Sequence, residues 1–182
     1  MDPYAYLFVT AVTDDNVIPQ LSKLSFGATR IRFAAIVEGP YEVLVAVDSA
    51  KALGALDLMV GPLRTAGAAG FETAVCVRDP LIPFSWPKSY APRAEEFSAF
   101  IQLQVDYSTT SPPDVAAALA GINANVAVVR VVGAFDLFAE LDNTSFNRLL
   151  DDVKQVYGVS GASVRSVALS NYRNLGRFFW HG

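Results

Sequence analysis

The sequence predicts an α+β fold: two ferredoxin-like βαββαβ units in tandem, packed as an intrachain pseudo-dimer like a dimeric α/β barrel. Three observations predict it. A motif recurs, since Ile36-Val37-Glu38-Gly39-Pro40-Tyr41-Glu42 is answered by Arg130-Val131-Val132-Gly133-Ala134-Phe135-Asp136. Gly39 aligns with Gly133, Tyr41 with Phe135, Glu42 with Asp136 and Asp48 with Asp142, all at an offset of 133 − 39 = 94. The flanking segments repeat in the same order, and a repeat of this kind governs the whole fold. Finally, the strands are apolar on both alternation sets, as with Phe8 against Leu7 and Val9, so cover is expected on both faces.

Tyr4 to Thr13 is aromatic and β-branched and reads as a strand. A short helix follows, with Asp14 and Asp15 as caps, Val17, Ile18, Leu21 and Leu24 as its stripe and Gly27 as its stop. Two strands, Thr29 to Val37 and Val43 to Val47, meet at the Gly-Pro-Tyr-Glu turn. The helix carrying Leu53, Leu56, Val60 and Leu63 contains Gly54, Gly61 and Pro62, which predict a bend or an early end. Phe71 to Val77 closes the first unit, assigned to residues 1–78.

Residues 79–96 form a proline-rich, extended linker whose Phe84, Trp86 and Tyr90 are expected to pack onto the units. The second unit, residues 97–170, opens with a strand from Phe97 to Tyr107. Ser111 caps a helix with Pro112 in its first turn, Val115 and Leu119 inward and Gly121 at its close. Strands follow at Asn125 to Val132 and Phe135 to Leu141. Behind the cap candidate Thr144, Phe146, Leu149, Leu150, Val153 and Val156 recur at helical spacing up to Gly158. Ala162 to Leu169 is the last strand, and residues 171–182 form a tail with three consecutive aromatics beside two arginines, expected to dock on its own chain or a neighbour.

Composition narrows the function classes. The chain is 52% hydrophobic and 18% charged, so some of its surface is expected to be buried against another subunit. No stretch approaches the ~18 uninterrupted apolar residues of a spanning helix. The N-terminus lacks a signal-peptide pattern, which predicts a cytoplasmic protein with no membrane role. A single cysteine, Cys76, excludes an internal disulfide framework and a thiolate metal cluster. A net charge of −4 with scattered basic residues argues against nucleic acid.

From Val128 to Leu141 the second unit resembles the effector-binding domain of the leucine-responsive (Lrp/AsnC) regulators, in which a strand runs into a Gly-x-aromatic-Asp turn. Val156-Tyr157-Gly158-Val159 is similar to that family's Leu-x-Gly-Val helix terminus. The first unit matches more weakly, with Glu42 in place of Asp and Gly70-Phe71 where Gly-Val would stand. The resemblance implies a domain that dimerises through paired sheets and binds amino-acid-like effectors between protomers. No helix-turn-helix accompanies it here, so the chain is not expected to grip DNA itself. Its expected partners are a small-molecule effector, further copies of the chain or a regulatory protein.

On this reading the ligand-binding candidates are Gly133, Phe135, Asp136, Gly39, Tyr41 and Glu42. The acids would meet a ligand's ammonium group and the turn amides its carboxylate. Alternatively, each acid accepts backbone N–H bonds and stabilises its turn, and the glycines supply positive φ. No catalytic, metal or cofactor residue is assigned. His181 lies in the tail, Cys76 reads as strand packing on the face of Ala74, and Asp14-Asp15 and Asp151-Asp152 read as a cap and a solvated face. No phosphate loop, dinucleotide fingerprint, nucleophile elbow or zinc spacing is present. Two further readings stay open. One is an enzyme on the dimeric α/β barrel, such as a cofactor-independent monooxygenase or a haem enzyme. The other is a structural interaction module whose pocket is filled by its own aromatics.

Overall fold

A computed structural model of the chain describes residues 5–10, 30–48, 52–65, 67–82, 97–123 and 126–171. The expected helix at 14–27, the linker aromatics and the C-terminal tail with His181 lie outside them. The described elements are β1 (Ala5–Thr10), β2 (Arg30–Ile36), β3 (Val43–Asp48), α1 (Ala52–Thr65), β4 (Gly70–Val77), β5 (Phe97–Val105), α2 (Pro112–Ile122), β6 (Val126–Val132), β7 (Leu137–Asn143), α3 (Phe146–Val156) and β8 (Ala162–Asn171). The fold is α+β.

All eight strands lie in one sheet of order β2-β3-β1-β4-β6-β7-β5-β8. Every pairing is antiparallel. The first four strands and the last four follow the same spatial order. They join where β4 meets β6, through Val75↔Val132, Cys76↔Val131 and Val77↔Arg130. At the opposite edge Glu38 bridges Leu169 of β8. The Glu38 N–H donates to the Leu169 carbonyl at 2.7 Å, and the Leu169 N–H donates back at 2.8 Å. Ser170 Oγ adds a bond to the Ile36 carbonyl at 3.2 Å. The sheet thus closes on itself through this bridge beyond the end of β2.

The two seams correspond at the offset of the sequence motif, since 132 − 38 = 94 and 169 − 75 = 94. At each seam the strand of the other half crosses a motif glycine at close range. A Cβ on Gly39 would lie 2.7 Å from the Val167 carbonyl oxygen and 2.9 Å from Ala168 Cα. A Cβ on Gly133 would lie 2.9 Å from the Thr73 carbonyl oxygen and 3.4 Å from Ala74 Cα. This corrects the conformational explanation for Gly133. Gly39 has φ +156°, but Gly133 is not among the positive-φ glycines. Close backbone approach is what both positions share.

Burial separates three apolar layers. Ala5, Leu7, Val9, Val43, Val45 and Val47 pack under Met59 and Leu63 of α1. Ala99, Ile101, Leu103, Leu137, Ala139 and Leu141 pack under Val115 and Leu119 of α2 and Leu149, Val153 and Val156 of α3. The alternate strand faces, carrying Tyr6, Phe8, Leu44, Phe100, Val129 and Phe138, fill the barrel interior with the turn residues Tyr41 and Phe135. The period of two places neighbouring residues of one strand in different layers. Cys76 packs against the interior layer, as Ala74 does.

Several boundaries differ from expectation. Helix α1 runs on through Gly61 and Pro62 to Thr65. Pro62 falls in the last turn, and Thr65 Oγ1 donates to the Gly61 carbonyl at 3.1 Å. Helix α2 is capped by Ser111 as expected but continues past Gly121 to Ile122. The N-cap of α3 is Ser145 rather than Thr144. Phe135 lies in the turn, outside β7, because the chain needs four residues there to cross the seam.

Adding a methyl group at either seam forces backbone apart. Gly39→Ala is expected to cost about 2 kcal/mol or more, and Gly133→Ala less, because its nearest atoms are farther and its φ is unstrained. Denaturant midpoints of the two variants check the order.

Candidate functional site

Each motif turn is built on the same hydrogen bonds. Val37 N–H donates to the Glu42 carbonyl and Val131 N–H to the Asp136 carbonyl, both at 2.9 Å. Glu42 N–H donates to the Val9 carbonyl and Asp136 N–H to the Leu103 carbonyl, again both at 2.9 Å. The turns therefore staple β1 and β5 to the hairpins beside them.

Of the six predicted ligand residues, the structure leaves Gly39, Glu42 and Gly133 exposed at the surface. Tyr41 and Phe135 point the other way and are buried in the barrel interior. Asp136 is half-buried, and its carboxylate is occupied. It accepts from the Val105 N–H at 2.8 Å, from the Tyr107 hydroxyl at 3.0 Å and from the Gln104 amide. That set of donors is the turn-stabilising arrangement. Partial burial, then the hydrogen bond and the negative charge of Asp136, push the Tyr107 pKa up. Beside this turn an open depression of about 310 Å³ is lined by Gln104, Val105, Asp106, Gly161, Ala162 and Ser163. Hydrogen bonds from Ser108 and Thr109 hold the Asp106 carboxyl below its usual range.

A second polar group was not foreseen from the sequence. It gathers around Glu72, the strand partner of Phe8, and stays partly open to solvent, with Arg165 38% and Glu72 33% exposed. Arg165 of β8 makes a bidentate pair with Glu72 of β4, at 3.2 Å and 2.9 Å. The Gln102 amide donates to Glu72 at 3.3 Å, and Ser166 Oγ donates to Gln102 Oε1 at 2.8 Å. The Arg165 guanidinium also stands 6.0 Å from the Phe135 ring centroid.

A local irregularity puts Arg165 there. In the first half, Phe8 pairs with Glu72 and Val9 with Phe71 in regular register. In the second half, Gln102 pairs with Ser166 but Leu103 pairs with Val164, so Arg165 is the extra residue of a β-bulge. Strict alternation from Ser166 would have sent Arg165 toward the helices. The bulge re-aims it at the interior, which is why a period-two reading of β8 missed it. Glu72 and Gln102 did leave a signal, as polar residues at interior-facing positions of apolar strands.

Tyr41 completes this group. Its ring meets Phe8 edge-on at 4.8 Å between centroids. Its hydroxyl is buried and finds no hydrogen-bond partner among the described residues. Burial, and then the charge of Glu72, raise its pKa. Farther along the interior, burial pushes the Tyr6 hydroxyl well up, with Cys76 and Glu140 adding to the effect.

No family model and no curated protein matches this sequence. Solved structures do match the fold. The fold is that of the dimeric α/β barrels. A variant chlorite dismutase from Candidatus Nitrospira defluvii is 10% identical with TM-score 0.58, covering 94% of this chain and 92% of that one. Another variant, in complex with cyanide, has TM-score 0.60 at 7% identity, over 94% and 92%. A haem-binding protein from Thermus thermophilus has TM-score 0.57 at 10% identity, over 98% and 92%.

Haem iron is held by an axial His, Cys, Met or Tyr. The described residues include no histidine. Met59, Tyr6 and Tyr41 are closed within packed clusters, Cys76 borders the same interior layer, and the Tyr107 hydroxyl is bound to Asp136. The described residues therefore do not fit that group. Among them, no helix is long and apolar enough to cross a membrane.

Removing the Asp136 carboxylate leaves the buried Val105 N–H without its acceptor, while the exposed Gln104 and Tyr107 turn to water. Asp136→Ala is expected to cost about 1–3 kcal/mol, and Asp136→Asn to lower the Tyr107 pKa in a spectroscopic tyrosine titration. Tyr6 and Tyr41 hold their protons more tightly folded than unfolded. The stability this supplies is complete below the ordinary tyrosine value of 10.0 and is lost as pH rises toward the folded-state values. Melting temperature should fall on the alkaline side, less steeply in Tyr41→Phe.

Proposed function

We propose that this chain is a small-molecule-binding protein on the dimeric α/β barrel, with its ligand site at the polar level of the barrel interior and not at the Gly-x-aromatic-acid turns. The observation that carries the reading is the bulge at Arg165, which places a charged group against Glu72 among aromatic side chains. A bulge that re-aims one side chain is frequent beside functional sites.

The likeness to chlorite dismutases and to a haem-binding protein supports the enzyme-type barrel over the amino-acid effector domain, although fold alone does not carry activity. Geometry adds to this. An effector's ammonium group at Asp136 would have to displace the three donors its carboxylate holds. We also propose that the chain is a fusion of two ferredoxin-like units. The common strand order and the hydrogen bonds repeating at 94 residues support it.

Hemin added to the purified full chain is expected to give no saturable Soret band. A panel of amino acids, carboxylates and amines is expected to include a compound that raises the melting temperature, by about 2.7 kcal/mol of stability at a hundredfold excess over its Kd. A saturable Soret band abolished by His181→Ala would overturn this reading.

A further inference from the structure

The two seams of the barrel follow one plan, yet they are not equally fastened. Where β4 meets β6, three residue pairs form a ladder from Val75↔Val132 to Val77↔Arg130. Arg130 adds an ion pair across that seam to the buried Asp79, at 3.1 Å. At the other seam the same 94-residue offset would pair Val37 with Ser170 and Ile36 with Asn171. Among the described residues only Glu38↔Leu169 is bridged there, and β2 and β8 form no ladder. The Ser170 hydroxyl adds its bond to the Ile36 carbonyl. Ile36 stands where the first seam has Arg130, so that position supplies no ion pair.

The residues beneath the seams differ in the same sense. Ala74 of β4 and Ala168 of β8 each pass over a motif glycine and share the interior layer with a motif aromatic. Under the ladder that aromatic is Phe135, which carries no polar atom. Under the single bridge it is Tyr41, whose buried hydroxyl has no partner among the described residues. A buried hydroxyl left unpaired costs free energy that hydration removes. The bridged seam is therefore held shut by fewer bonds, and its closed state is penalised by a group that gains from water.

We infer that the barrel is a clasp: the β4–β6 seam is its fixed side, and β8 parts from the Glu38 turn within the folded protein, wetting Tyr41. Local openings of this kind draw on the least-bonded part of a fold, at free energies below that of global unfolding. The device goes beyond the ligand reading and is tested on the unliganded chain, so either can fail without the other.

The test is native-state amide exchange of the full chain, followed by NMR at low denaturant concentrations. The seams are matched for it. Glu38 and Val132 are both exposed, and Leu169 and Val75 are both half-buried, so a difference in rate reports the seam and not the burial. Glu38 and Leu169 are expected to exchange on the order of a hundredfold faster than Val132 and Val75. Their opening should depend little on denaturant, because it exposes little surface. Ser170→Ala should speed exchange at Glu38 and Leu169 several-fold and leave Val75 and Val132 unmoved. Tyr41→Phe should slow the same two amides on the order of tenfold, since opening no longer rescues a hydroxyl. The clasp is overturned if all four amides exchange together at the rate of global unfolding, or if Val75 and Val132 are the faster pair. A Tyr41→Phe variant that fails to slow Glu38 and Leu169 would equally overturn it, because opening would then not wet the hydroxyl.

Discussion

Closing an eight-stranded antiparallel sheet across two seams forces backbone to pass over backbone where the motif glycines lie. Thr73 and Ala74 cross Gly133, and Val167 and Ala168 cross Gly39, within distances that leave no room for a Cβ. The rest of the motif follows from that crossing. The residue two positions on must turn inward to fill the space beneath the crossover, so it is aromatic, Tyr41 or Phe135. The next residue must anchor the returning strand, and its N–H bonds Val9 or Leu103. The repeated glycine, aromatic and acid are thus parts of a closure device. Such a device recurs wherever the closure recurs, whatever the protein binds.

Because closure needs only that skeleton, the barrel interior is free to differ between halves, and it does. Phe8 corresponds to Gln102, Glu72 to Ser166, Tyr41 to Phe135 and Ala46 to Glu140 at the same offset. A symmetric interior would be aromatic throughout or polar at matching places. Instead, one level gathers Glu72, Gln102, Arg165 and Ser166 into a connected hydrogen-bond chain. Arg165 and Glu72 bond each other while about a third of each side chain stays exposed, and the buried Tyr41 hydroxyl has no partner among the described residues.

The likeness to haem-associated barrels and the absence of a fitting ligand among the described residues are compatible. A barrel of this shape is an architecture on which sites are placed, and the site is set by side chains. In this chain the layer beneath α2 and α3 is filled by Leu, Val and Ile side chains exposed by no more than 8%. Whatever the chain binds there would have to displace its own core.

By itself the sequence determined the α+β class, the succession of strands and helices in the second half, the use of both strand faces and the presence of the Gly-x-aromatic-acid turns. Those are written in local patterns: period-two alternation, the capping Ser111 and Pro112, and motif spacing. It left open whether Asp136 meets a ligand or its own turn, and the donors that reach its carboxylate come from Gln104, Val105 and Tyr107, some thirty residues away and brought near only by strand pairing. Glu72 and Arg165 lie 93 residues apart and join only once the barrel closes. The bulge that turns Arg165 inward depends on the register of β5 with β8, which no single strand encodes. Local pattern fixes which face a residue takes while the ladder is regular. Where the ladder slips, only the paired strands decide.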